Sequence, residues 1–149
     1  MSRKRYVPDL SGMMAECEAN YLRLSKLLPD ISESEIREFA LDQSGVDIKV
    51  TIRVVERFIH TLTVELTIGQ ILHPELPPTR MTLRMYQDAR MVEVVDAREG
   101  RQIKGVHTYP NEAMHHPDEK HQLNLYLGQW LRQCLTRGYE PHIELALDG

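Results

Sequence analysis

Cysteine is nearly absent: Cys17 and Cys134 are the two in 149 residues, too few for a disulfide scaffold and without the C-x-x-C spacing of zinc or redox sites. Glycine is scattered. The eight glycines form neither G-x-G-x-x-G nor G-x-x-x-x-G-K-[ST], and no G-x-S-x-G elbow occurs, which excludes the standard mononucleotide folds and the serine hydrolases. No uninterrupted apolar run approaches the roughly 20 residues that cross a bilayer. The basic start Met1-Ser2-Arg3-Lys4-Arg5 is followed by Pro8, Asp9, Ser11 and Gly12, where a signal peptide needs an apolar core, so export by that route is not expected. A strong charge of one sign is lacking as well. Eighteen Lys and Arg against 22 Asp and Glu give a net charge of −4, whereas a general nucleic-acid binder shows a basic domain. The exception is a local basic strip at 80–104.

What is present is ordinary globular composition, 42% hydrophobic and 27% charged, sized for a single domain over 1–149. Such a chain buries roughly 70% of its unfolded surface, and sparse cysteine makes the cytoplasm its simplest compartment. Leu10, Met14, Cys17, Tyr21, Leu24 and Leu28 recur at three- and four-residue spacing and predict an amphipathic helix that Pro29 ends. From about Glu35 the period becomes two. Ile48, Val50, Ile52 and Val54 alternate with polar residues, as do Leu62 to Ile68, Met81 to Met85, and a strand near Met91–Val95. Ser44-Gly45 and Glu99-Gly100 supply tight connections, and Pro74, Pro77 and Pro78 mark a loop within the domain.

A second helix is predicted from Pro117 to Arg137, with Pro117 at its first position and Gly138 as its stop. Leu123, Tyr126, Leu127, Trp130, Leu131, Cys134 and Leu135 give it an arc broad enough to lie between a sheet and another helix. Ile143, Leu145 and Leu147 allow a final edge strand. The expected fold is therefore α+β: a five- or six-stranded antiparallel meander, both helices packed on its one apolar face, and the other face open to water or a partner.

Three blocks carry a resemblance. Tyr109-Pro110-Asn111 with Met114-His115 and Asp118-Glu119-Lys120-His121-Gln122-x-Asn124 leads into Leu127-x-x-Trp130-Leu131-x-x-Cys134-Leu135-x-x-Gly138. Tyr6-x-Pro8-Asp9 with Met13-Met14 and Cys17-Glu18, and Arg84-Met85-Tyr86-x-Asp88-Ala89, are the others. On these blocks, which span nearly the whole length, the chain resembles the YqiB-like family of uncharacterised bacterial proteins. The resemblance implies a cytoplasmic bacterial protein and no particular reaction.

Two polar clusters are candidates for chemistry. Arg84, Tyr86 and Asp88 alternate and are expected on one wet strand face, shared with Arg53, Thr51, Thr61, Thr63, Arg80 and Thr82; paired guanidinium groups beside hydroxyls hold phosphate or carboxylate, and a tyrosine ring can stack on a base. Tyr109 and Asn111 sit in a turn that delivers the chain from sheet to helix and are candidate ligand contacts. The second cluster is His107, His115, Asp118 and His121. Asp118 and His121, three apart on a helix, face the same way, as metal ligands or an acid/base pair must, although no HExxH or HxH spacing is present.

The leading reading is a binding or adaptor domain without catalytic residues or cofactor, using the open face to hold a protein segment or an anionic small molecule; its strand edges allow a homodimer. The alternatives are a small metal-assisted hydrolase or lyase at the histidine cluster, and an RNA- or nucleotide-binding module. Neither a membrane nor nucleic acid is the expected partner.

Overall fold

The computed structural model describes residues 10–28, 36–98 and 117–138, with the backbone alone for Leu10, Pro117 and Asp118. The chain order is α1 (Leu10–Leu27), β1 (Ile36–Gln43), β2 (Val46–Arg57), β3 (Thr61–Gln70), β4 (Thr79–Tyr86), β5 (Met91–Arg98) and α2 (Pro117–Arg137). The strands form one sheet in the order β1-β2-β3-β4-β5, each antiparallel to its neighbour. This is the expected meander with five strands. The sixth strand at 143–147 and the Glu99-Gly100 turn lie outside the described residues.

Alternation sets the sheet's two faces. Phe39, Leu41, Ile48, Val50, Ile52, Val54, Leu62, Val64, Leu66, Ile68, Met81, Leu83, Met85, Val92 and Val94 are all buried, and the cross-strand register puts them on one side. Ser44 and Gly45 join β1 to β2 at φ 52° and 82°, the positive pair that a two-residue hairpin with the sheet's own twist requires. The Gly45 amide donates to Asp42 Oδ1 at 3.0 Å.

One irregularity changes which side chains face where. Leu83 pairs with Val94 but Thr82 pairs with Asp96, so Val95 is an extra residue in β5. Strict alternation would send Asp96 into the core; the bulge instead turns Ala97 inward and leaves Asp96 and Arg98 exposed on the far face. A second bulge at Val54/Glu56 likewise interrupts β2.

Both helices pack on the apolar face, and their Leu24, Leu27, Leu28, Leu123, Tyr126, Leu127, Trp130, Leu131 and Cys134 join the strand residues in one core. α2 approaches α1 and both edge strands, while α1 rests on α2 and β5. The Tyr126 and Trp130 rings meet edge to face at 6.3 Å, an arrangement worth about 0.5–1.5 kcal/mol beyond burial. Met14, expected on the inner stripe of α1, is half exposed; the buried stripe runs Cys17, Asn20, Leu24, Leu27. An asparagine can sit there because its Nδ2 donates to the Asn124 carbonyl at 3.0 Å. Asn124 in turn accepts from the Val94 amide at 3.1 Å through Oδ1 and donates to the Lys120 carbonyl at 2.9 Å. Two side chains thereby tie α1, α2 and the outer edge of β5 together.

Candidate functional site

The uncovered face carries the alternate set of side chains, and register fixes their neighbours. Thr61 stands opposite Tyr86, Thr63 opposite Arg84, Glu65 opposite Thr82, and Thr67 opposite Arg80. Arg84 faces Glu93 on its other side and Arg80 faces Arg98. Arg53, Thr51, Thr61, Thr63, Arg80, Thr82, Arg84 and Tyr86 thus share this face as the alternation predicts, with Thr63 buried among its neighbours.

Asp88 does not share it. β4 ends at Tyr86, and Asp88 lies in the following turn, where its Oδ1 meets His60 Nδ1 at 3.0 Å on the surface. The period-two reading extends past the strand's end, where Arg90 at φ 55° reverses the chain. Arg53 and Arg84 are not strand neighbours. Arg53 is on β2 opposite Glu65 and Arg84 is on β4, so β3 separates them.

Arg84 and Tyr86 have partners within the protein. The Tyr86 hydroxyl donates to Glu93 Oε1 at 2.7 Å, and Lys120 of α2 reaches Glu93 Oε2 at 2.9 Å around the edge of β5. Burial and the bond to Glu93 push the Tyr86 hydroxyl above its ordinary pKa. Burial opposes charge on Glu93, but the Tyr86 hydroxyl, Lys120 and Arg84 outweigh it and hold the carboxyl below the usual range. This cluster fastens the start of α2 to the β4–β5 hairpin.

His107, His115, Tyr109 and Asn111 lie outside the described residues, as does the Asp118 side chain; His121 is half-buried on α2. Among the described residues no three His, Cys, Asp or Glu side chains gather as a metal would require. Burial, with a smaller push from Glu93, raises the Cys17 thiol to about 11, and burial raises Cys134 to about 12. Both are therefore protonated at neutral pH, as small core side chains. No described helix is long and apolar enough to cross a membrane.

The concave features of the open face lie away from Tyr86. The Ile71 amide extends the β2–β3 ladder by donating to the Asp47 carbonyl at 2.9 Å, and the β3–β4 connection then returns over the sheet, with Pro78 against Gly69. Beneath it is a cleft of about 240 Å³ with Lys49, Thr51, Thr67 and Gly69 as its floor and Pro74, Leu76 and Pro78 as its wall. A second hollow of about 240 Å³, lined by Glu65, Arg80, Thr82, Asp96 and Arg98, lies one strand further on, since Thr67 of the first pairs with Arg80 of the second. Sequence reasoning reached Thr51, Arg80 and Thr82 but not Lys49, Thr67 or Arg98. Strand parity alone would have added Lys49 and Thr67, whereas Arg98 depends on the Val95 bulge.

Residues 23–140 match the model of a family described as protein of unknown function (DUF1249), and the chain belongs to that family. Among its relatives is the uncharacterized protein YqiB of Escherichia coli strain K12, 36% identical over 135 residues that cover 91% of this chain and 94% of the relative. The YqiB proteins of E. coli O6:H1 strain CFT073 and E. coli O157:H7 match to the same extent. No solved structure gives a significant match.

Proposed function

We propose that this protein is a binding module that takes a small anionic molecule on its open sheet face, in the cleft beneath the β3–β4 connection. The observation that carries the reading is the composition of that cleft: an ammonium group and two hydroxyls on the floor, prolines and a leucine on the wall. That combination suits a ligand with an apolar body and a polar end. Lys49 and the arginines of the face supply the donors and positive charge that an anion needs. The rest of the face favours a small ligand over a polyanion. Lys49, Arg53, Arg80, Arg84 and Arg98 are interleaved with Glu38, Glu65, Glu93 and Asp96, and a nucleic-acid backbone laid across them would meet both signs.

The test is thermal denaturation of the full chain against a panel of small carboxylic acids, phosphate esters and their neutral analogues, with Thr67→Trp as the filled-cleft variant. The expected result is a concentration-dependent rise in Tm with at least one acid class, absent in Thr67→Trp. A panel without effect on the wild-type protein, or equal effects on both proteins, overturns the reading.

A further inference from the structure

The geometry points to Arg80 and Arg98 as the seat of the ligand's acidic group, and so to a carboxylate or phosphate monoester on a compact apolar body about 10 Å long, twice the strand spacing. This rests on the cleft reading above and adds the seat of the acidic group, the ligand's orientation and its length. Arg80 and Arg98 are direct cross-strand partners, an arrangement in which like charges repel and weaken the sheet. Nothing in the core demands it: both side chains are exposed, Arg98 by 85%. Compensation within the protein is slight. Asp96 approaches Arg98 Nε at 3.8 Å, itself 60% exposed, and Glu65 lies in the same hollow with Arg53 on its other side; Arg80 has no ion-pair partner among the described residues. Two guanidinium groups side by side present parallel N–H donors to the oxygens of one anion, and its binding turns their repulsion into shared attraction. Thr67 and Thr82 flank Arg80 on the neighbouring strand and two residues along its own, adding hydroxyl donors. With the acid there, the remainder of the molecule lies over Thr67 and enters the cleft below Pro74 and Pro78.

The experiment is titration of ¹⁵N-labelled full chain with phenylacetate, phenyl phosphate and neutral benzyl alcohol, for the wild-type protein and for Arg80→Gln, Arg98→Gln and Thr67→Trp. Both arginine positions are exposed, and removing either charge relieves repulsion, so these variants should fold with a Tm at or above that of the wild type at low salt. The expected result is that the two acids move the Thr67 and Gly69 amides and the Arg80 and Arg98 Nε–H signals together. Each Arg→Gln change should weaken acid binding about tenfold while leaving the weaker benzyl alcohol binding unaltered, and Thr67→Trp should abolish both. Tighter binding of phenyl phosphate or of phenylacetate then identifies the acid class. Acid binding unchanged in Arg80→Gln and Arg98→Gln, yet lost in Thr67→Trp, overturns the arginine seat and leaves the cleft standing. No binding of acid or alcohol to the wild-type protein removes both. A Tm lower in Arg98→Gln than in the wild type at low salt would also count against the seat, because the pair would then be stabilising the unliganded fold.

Discussion

Replacing Asn124 by alanine tests how the helices are held on the sheet. Asn124 is 0% exposed. Its Oδ1 is the acceptor for the Val94 amide at 3.1 Å, on a strand whose one sheet neighbour among the described residues is β4. Truncation leaves that N–H facing protein with no acceptor, a penalty of about 1–3 kcal/mol. The missing atoms leave a small void at about 24 cal/mol per Å³, adding roughly 1 kcal/mol. The expected loss is thus about 2–4 kcal/mol, a large share of the roughly 5–15 kcal/mol that holds a domain together. Trp130 is the sole tryptophan and is buried, so its emission follows unfolding in urea. With a slope of about 2 kcal/mol per molar the midpoint should fall by roughly 1–2 M. Asn20→Ala should cost less, since it leaves the Val94 amide paired. A midpoint for Asn124→Ala within about 0.3 M of the wild type, or no lower than that of Asn20→Ala, would refute the claim that this side chain caps the edge of β5.

Glu93 and Gly128 supply two further expectations. Because the Glu93 carboxyl is held below its ordinary pKa, its contribution is fully present above about pH 4.3, the unfolded value, and is lost as pH falls through the lower folded value. Glu93→Gln should therefore lower stability near neutrality by about 1 kcal/mol through loss of the Lys120 pair. It should also flatten the acid limb of the stability curve, which urea midpoints measured between pH 7 and 2.5 would reveal; an unchanged acid limb contradicts the assignment. Gly128→Ala would gain about 1 kcal/mol in an unpacked helix. Here a Cβ would overlap the Glu16 carboxylate and come within 2.7 Å of Arg23 Nη1 and 3.0 Å of Asn20 Oδ1, displacing a pair bonded at 2.8 Å. We expect a net loss in the wild type and a gain in a Glu16→Ala/Arg23→Ala background, a sign reversal that a double-mutant cycle measures. Stabilisation in both backgrounds would show that the helices approach less closely at this point.

Although Met14 and Leu135 are exposed and Asn20 and Asn124 are buried against the pattern, period and punctuation in the sequence determined the type and order of the described elements, the limits of α2 and most of the core. Each is a consequence of local geometry: 3.6 residues per turn, two per strand repeat, and the backbone limits of proline and glycine. The same alternation placed Arg53, Arg80, Arg84 and Tyr86 on the uncovered face. Which of them could meet a ligand was a tertiary matter, because neighbours across strands are set by register. Arg84 and Tyr86 are engaged because register sets Glu93 opposite Arg84 and within reach of the Tyr86 hydroxyl, and Lys120 of α2 closes on the same carboxylate from far along the chain. Arg80 gains Arg98 as its partner because a bulge at Val95 shifts the strand by one. A loop read only as three prolines becomes the wall of a cleft because Pro78 packs at Gly69 and brings the loop beside Lys49, Thr51 and Thr67 of two strands. Local pattern dictates the direction in which a side chain points. What it points at is settled when distant segments pack, since the free energy that chooses between registers lies in contacts the sequence does not place side by side.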